Sequence, residues 1–210
     1  AASRSGGQPA LRPYSSLTPK VLLIGSSTGG PQALTKLFGD IGSAIANVPV
    51  LVTQHMPATF TSILAEHITK AAGRRAAEGV HGEPLMPGRI YVAPGGRHMV
   101  IGKNGMDTCV LLNDQPPVNF CKPAVDPLFE SAVPLFGASI LACVLTGMGH
   151  DGAAGATRIA GGGGSVIAQD EETSVVWGMP GAVAQAGAAA EILPLDQIGP
   201  KIARILGGRR

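Results

Sequence analysis

The sequence predicts an α/β fold: a doubly wound, mostly parallel sheet with helices on both faces and an antiparallel hairpin at one edge. Three observations predict it. Several short apolar runs lack any alternation of apolar and polar residues, which marks strands covered on both faces. Those runs alternate with stretches of helical periodicity, the rhythm of parallel strands joined by crossover helices. Between two further strand-like runs lies Asn104-Gly105, a pair that accepts positive φ and signals a hairpin turn.

The first buried strand is Val21-Leu22-Leu23-Ile24, which breaks into Gly25-Ser26-Ser27-Thr28-Gly29-Gly30 and then into a helical pattern from Pro31. Residues 49–53 repeat the strand pattern and residues 60–72 the helical one. The rhythm changes over residues 89–112, where runs at 89–94, 98–102 and 109–112 follow one another through short loops, so the hairpin is placed here. Asp126-Pro127 reads as a helix cap followed by a first-turn proline, opening a helix over 128–135 and making Asp126 structural. Residues 140–145 form a strand, 151–160 a helix, and the glycines 161–164 end that helix and feed a strand at 165–168. Residues 192–206 close the chain as a short strand and an amphipathic helix.

A chain of 210 residues is long enough for one well-buried domain, read here as residues 20–210. Residues 1–19 hold Ser, Gly, Pro and Arg without apolar periodicity and are expected to be a flexible linker or tail. No stretch has the apolar core of a secretory signal or the roughly 20 apolar residues that span a bilayer, so a soluble cytoplasmic protein without membrane insertion is expected. Sixteen basic and fourteen acidic residues leave a net charge of +2, too small a bias to argue for a nucleic-acid partner. Arg74-Arg75 and Arg209-Arg210 read as solvated surface. Cys109, Cys121 and Cys143 are odd in number and lack metal-ligand spacing, so reduced thiols are expected, with no disulfide, metal or cofactor.

Parallel sheets bind ligands beyond the carboxyl ends of their strands, and three strands deliver functional groups there. The first ends at Ser27 within Gly25-x-Ser27-x-Gly29, the shape of a nucleophile elbow. The second ends at Gln54-His55-Met56-Pro57, and the strand at 140–145 at Thr146-Gly147-Met148-Gly149-His150-Asp151-Gly152. A serine hydroxyl becomes a useful nucleophile when a neutral imidazole takes its proton and a carboxylate fixes that imidazole's tautomer. Ser27, His55 and Asp151 fill those roles, and the backbone N–H groups of Thr28 and Met148 are the expected oxyanion donors. Each has a plainer alternative: His55 as a capping or packed histidine, Asp151 as the N-cap of the helix that follows. His150 competes with His55 and ranks below it, while His67, His81 and His98 read as surface or packing residues. The glycine turn equally suits a phosphate, so a non-catalytic phosphate- or nucleotide-binding or regulatory module stands as the alternative. The turn lacks the lysine of a P-loop and the spaced glycines of a dinucleotide fingerprint.

Taken together, the motifs resemble the catalytic domain of the chemotaxis protein-glutamate methylesterases, the CheB type. The matching segments are Ile24 to Gly30, Gln54-His55-Met56-Pro57, Tyr91-Val92-Ala93-Pro94-Gly95 through His98-Met99, Pro123-Ala124-Val125-Asp126, Leu145 to Gly152 and Gly178-Met179-Pro180, all in the family's order. The resemblance implies hydrolysis of γ-glutamyl methyl esters on the cytoplasmic helices of methyl-accepting chemoreceptors, with deamidation of glutamines in many members. It implies Ser27 as nucleophile, His55 as base, Asp151 as orienting acid, and Thr28 and Met148 beside the reacting carbonyl. It also implies an upstream receiver domain, which this chain does not contain, with residues 1–19 as its linker. Lys122, Ala124 and His150 depart from the arginine, serine and asparagine expected of the family, and bear on receptor choice: lysine lacks arginine's bidentate grip.

Overall fold

The computed structural model describes residues 8–209; residues 1–7 of the expected linker, and Arg210 of the terminal arginine pair, lie outside the described residues. The elements are β1 (Val21–Ser26), α1 (Gly30–Ile41), β2 (Val50–Gln54), α2 (Ala58–Ala72), β3 (Ala76–Glu78), β4 (Ile90–Val92), β5 (His98–Asn104), β6 (Asp107–Asn113), α3 (Val125–Phe136), β7 (Ile140–Val144), α4 (Ala153–Gly161), β8 (Ser165–Gln169), α5 (Met179–Gln185), β9 (Glu191–Leu193) and α6 (Leu195–Leu206). Seven strands form one parallel sheet in the order β3-β4-β2-β1-β7-β8-β9.

Every residue of β1, β2, β7 and β8 is buried, which explains why these strands read as continuous apolar runs. Successive side chains feed opposite cores. Val21 and Leu23 of β1 pack with Leu128 and Phe129 of α3, Ile159 of α4 and Val183 of α5. Leu22 and Ile24 pack with Leu34 and Phe38 of α1, Leu64 and Ile68 of α2, and Ile198, Ile202 and Ile205 of α6. Each such large aliphatic or aromatic side chain stabilises the fold by about 1.5–3 kcal/mol on burial. The chain moves outward from β1 through β2 and then returns to β7 on the other side of β1. That reversal opens a crevice at the carboxyl ends of β1, β2 and β7, where such sheets place ligands.

The hairpin is present, but as a two-stranded antiparallel sheet of its own, β5 with β6. The edge of the main sheet is instead β3, which the sequence reading passes over because Ala-Ala-Glu carries no strand-like apolar signal. Residues after β3 bridge to the hairpin through Gly82 N–H to Val110 O (2.7 Å) and Val110 N–H to Glu83 O (2.9 Å). The hairpin register pairs Asn104 with Asp107, so the turn residues are Gly105 and Met106, one position later than expected.

Asp126 does not cap its own helix. Ala124, in extended conformation, is the N-cap of α3, and Asp126 lies inside the helix's first turn. Its Oδ1 instead accepts the N–H groups of Gly152 (3.0 Å) and Gly155 (2.7 Å) at the start of α4.

Residues 8–19 form no helix or strand. Part of this segment is held against the domain at the end opposite the crevice. Arg12 N–H donates to Ala189 O (2.9 Å), Tyr14 Oη to Glu191 Oε2 (2.6 Å) and Ser15 Oγ to Ala138 O (2.7 Å). Among the described residues no helix is long and apolar enough to cross a membrane.

Candidate functional site

The last paired rung of β1 and β2 joins Ser26 to Gln54, so Ser27 and His55 leave neighbouring strands side by side. The backbone holds them there: His55 N–H donates to Ser26 O (3.1 Å), and Ser27 N–H to Thr146 O (3.0 Å) at the end of β7. Gly29 then turns the chain with φ 80°, a conformation glycine adopts without steric cost, and α1 begins. The loop after β7 presses on the elbow. A Cβ at Gly147 would stand 2.8 Å from Ser27 Cβ and collide with Met179 Sδ, so this approach needs glycine. Ser27 is partly exposed just past the carboxyl end of β1, and its Oγ has no hydrogen-bond partner among the described residues.

Asp151 and His55 meet. Asp151 Oδ2 lies 2.6 Å from His55 Nε2, and the two side chains are only 2 % and 11 % exposed. Asp151 Oδ2 also accepts Val125 N–H (2.7 Å), and Oδ1 accepts Asp126 N–H (3.0 Å) and Asn119 Nδ2 (3.1 Å). The N-cap of α4 is Gly152, so Asp151 does not cap the helix that follows it; it caps α3. Burial pushes the Asp151 carboxyl up, but the bonds from His55, Val125 and Asp126 outweigh burial and hold it below the usual carboxylate range. Asp126, for which burial wins and the Asp151 charge adds, is pushed above that range.

An ionised Asp151 accepts only, so His55 Nε2 carries the proton and Nδ1 has the free lone pair. Cys121 Sγ lies 3.5 Å from that Nδ1. The sequence reading missed Cys121, and it missed Gln54 and Asn119, whose amides reach into the site. Only the Gln54-His55 adjacency gave a signal for any of them.

The backbone N–H groups of Thr28 and Met148 donate no hydrogen bond among the described residues. Thr28 O is held by Thr146 Oγ1 (2.9 Å), and the Met148 side chain is exposed. Of the other histidines, His67 and His150 are exposed, and His81 accepts Leu112 N–H (3.0 Å). His98 is buried, with Nε2 at Pro116 O (2.9 Å) and Nδ1 accepting Ala124 N–H (3.2 Å), a packing role. Cys109, Cys121 and Cys143 are all free thiols.

A family model described as CheB methylesterase matches residues 22–202 of this sequence. The chain belongs to the CheB methylesterase family. A relative from Bradyrhizobium diazoefficiens, named protein-glutamate methylesterase/protein-glutamine glutaminase of group 2 operon, is 61 % identical over 199 residues, covering 95 % of this chain and 50 % of the relative. One from Azospirillum brasilense, named protein-glutamate methylesterase/protein-glutamine glutaminase, is 52 % identical, covering 92 % of this chain and 49 % of the relative. The crystal structure of the Thermotoga maritima CheB methylesterase catalytic domain superposes with a TM-score of 0.85 at 35 % identity, over 90 % of this chain and 100 % of that one. The chain thus spans about half the length of the curated CheB relatives it matches. The CheB domain structure also carries the fold reading to its parallel sheet and crossover helices.

Proposed function

We propose that this chain is a serine hydrolase that demethylates γ-glutamyl methyl esters on the cytoplasmic helices of methyl-accepting chemoreceptors, and so acts in the cytoplasm in chemotactic adaptation. The observation that carries the reading is the His55–Asp151 pair, 2.6 Å apart and nearly buried, at the strand end next to the Ser27 elbow. The side chains packed against the turn, Gln54, Thr146 and Val175, are uncharged, which suits an ester better than a phosphate.

In this reading Ser27 Oγ attacks the ester carbonyl as its proton passes to His55 Nδ1, and Asp151 stabilises the imidazolium. The oxygen that becomes negative is held by the Thr28 and Met148 N–H groups. Collapse of the tetrahedral intermediate breaks the bond to the methoxy oxygen, which takes the proton from His55 and leaves as methanol. Water, deprotonated by His55, then attacks the acyl-serine; the bond to Ser27 Oγ breaks, that oxygen takes the proton back from His55, and the glutamate is released. With a glutamine side chain the same steps release ammonia, the second activity printed in the relatives' names. A receiver domain in the half of the relatives' length that this chain does not cover would regulate access to the crevice.

The test is methanol release from a methylated chemoreceptor cytoplasmic fragment by the chain and by its Ser27→Ala variant. Ser27→Ala is expected to lose about 10³-fold or more of the turnover while still binding the fragment. Undiminished release, with contaminating esterases excluded, would remove the covalent mechanism. No release by either protein would leave the binding-module reading in its place.

A further inference from the structure

Gln54, the last residue of β2, is 3 % exposed, and its three side-chain hydrogen bonds join it to Ser26, Ser27 and His55. Its Oε1 accepts from Ser26 Oγ at 2.6 Å. Its Nε2 donates to Ser27 O at 2.9 Å and to His55 O at 3.2 Å. The partners dictate the amide's orientation, because the two carbonyls can only accept. Gly30 makes room for it: a Cβ there would collide with Gln54 Oε1, and the Gly30 N–H adds a second donor to Ser27 O at 2.7 Å.

We propose that Gln54 is a positioning residue for oxyanion stabilisation, fixing the Ser27–Thr28 peptide so that the Thr28 N–H faces the reacting carbonyl. The inference rests on the assignment of Ser27 as nucleophile and Thr28 as oxyanion donor. In a trans peptide the C=O and N–H point in opposite directions. Anchoring Ser27 O inward to Gln54 therefore turns Thr28 N–H outward, and two donors on that carbonyl polarise the peptide and strengthen its N–H. The bond to His55 O attaches the base to the same amide, so nucleophile, base and oxyanion donor share one anchor.

Steady-state methanol release per titrated active site, with Gln54→Glu in the full chain, tests this. Glutamate keeps the acceptor for Ser26 but sets an oxygen against two carbonyls in place of the donors. The expected result is a roughly ten- to hundredfold fall in kcat with KM within about twofold, because an oxyanion donor acts in the transition state. The affinity of a methylboronic acid probe, which forms a tetrahedral adduct on the serine, should weaken by a similar factor. A merely structural role would lower the melting temperature and the fraction of titratable sites, with kcat per site and probe affinity unchanged; that outcome overturns the proposal. Ser26→Ala keeps the amide but removes the hydroxyl that orients it. It should lower kcat per site about three- to tenfold at constant KM, and it decides the question should Gln54→Glu fail to fold; no loss there also overturns the proposal. Ser27→Ala separates the two levels: persistent turnover sinks the nucleophile assignment and this inference with it. An inactive Ser27→Ala alongside fully active Gln54→Glu and Ser26→Ala sinks only the role of Gln54.

Discussion

Asp126 and Asp151 cap each other's helices. Asp151 accepts the Val125 and Asp126 N–H groups that open α3, while Asp126 accepts the Gly152 and Gly155 N–H groups that open α4. Asn119, with φ 52°, lays its amide between them, donating to Asp126 at 2.9 Å and Asp151 at 3.1 Å. Helix N-termini attract negative charge, so two buried carboxylates are tolerated side by side. The bonds that fasten α3 to α4 are thus the same bonds that aim Asp151 at His55.

All four partners of Asp151 are donors, which makes Asp151→Asn a severe change despite its size. Its amide must turn NH₂ toward some of them. Facing His55 Nε2, it would force the proton onto Nδ1, which in the proposed mechanism leaves His55 unable to accept from Ser27. Turnover is expected to fall about 10⁴-fold, and stability by about 2–3 kcal/mol from donors left unpaired. The Asp151 carboxyl is depressed in the folded chain, so its contribution is fully present above the unfolded value and is lost as pH falls through the folded one. Urea unfolding should show the wild-type advantage intact at pH 7 and shrinking below about pH 4.

Phe120 follows Asn119 in a two-residue turn, closed by reciprocal bonds between Val118 and Cys121 of 3.0 and 2.9 Å. Its φ is 64°, a strained conformation for an aromatic residue, and its side chain is fully exposed. No packing offsets the strain. Phe120→Gly is therefore expected to stabilise the chain by about 0.5–1 kcal/mol in urea unfolding. The same variant should raise KM for a methylated receptor fragment several-fold and leave turnover of a small ester unchanged, because the fully exposed Phe120 directly precedes Cys121, whose Sγ lies 3.5 Å from His55 Nδ1. Lost stability would show that the ring is packed in solution.

The central strands were legible because β1, β2, β7 and β8 are buried on both faces and carry polar residues only at or next to their ends. The meeting of His55 with Asp151 was legible for a related reason: both follow strands that end at the same edge. What sequence order conceals is bonding between side chains and distant backbone. Asp126 looks like a local cap beside Pro127, yet its partners lie 26 and 29 residues further on. Asn119 and Cys121 sit in a segment without periodicity, where nothing local says that it folds over the crevice. Strand β3 was missed because three residues carry too little pattern to be recognised.

Tyr14 gives the segment before β1 a measurable role. Its hydroxyl donates to Glu191 Oε2, and Lys201 Nζ lies 3.0 Å from the same oxygen and 4.9 Å from the Tyr14 ring centroid. Burial raises the Glu191 carboxyl, but Tyr14 and Lys201 outweigh it and hold it below its ordinary value. Tyr14→Phe should cost about 1 kcal/mol at pH 7 in denaturant unfolding. That difference should fade as pH falls below about 4, since a depressed carboxyl loses its contribution on protonation. No change at pH 7 would mean that the segment is detached in solution.

Cys121 faces His55 Nδ1, the nitrogen that accepts the Ser27 proton in the proposed mechanism, so thiol chemistry there reads out the site. Burial first, and the Asp151 charge second, push its thiol above the ordinary cysteine value, so little thiolate exists at neutral pH. Iodoacetamide should therefore inactivate the chain slowly at pH 7 and faster as pH rises, since the adduct would occupy the face of His55 Nδ1. Cys109 and Cys143 are buried, which confines early labelling to Cys121. Cys121→Ala removes the labelled group while leaving Ser27, His55 and Asp151 in place, so it should retain methanol release within about threefold of wild type and resist the reagent. A loss of release in Cys121→Ala comparable to that of Ser27→Ala would instead make the thiol part of the reaction and would require the roles around His55 to be reassigned.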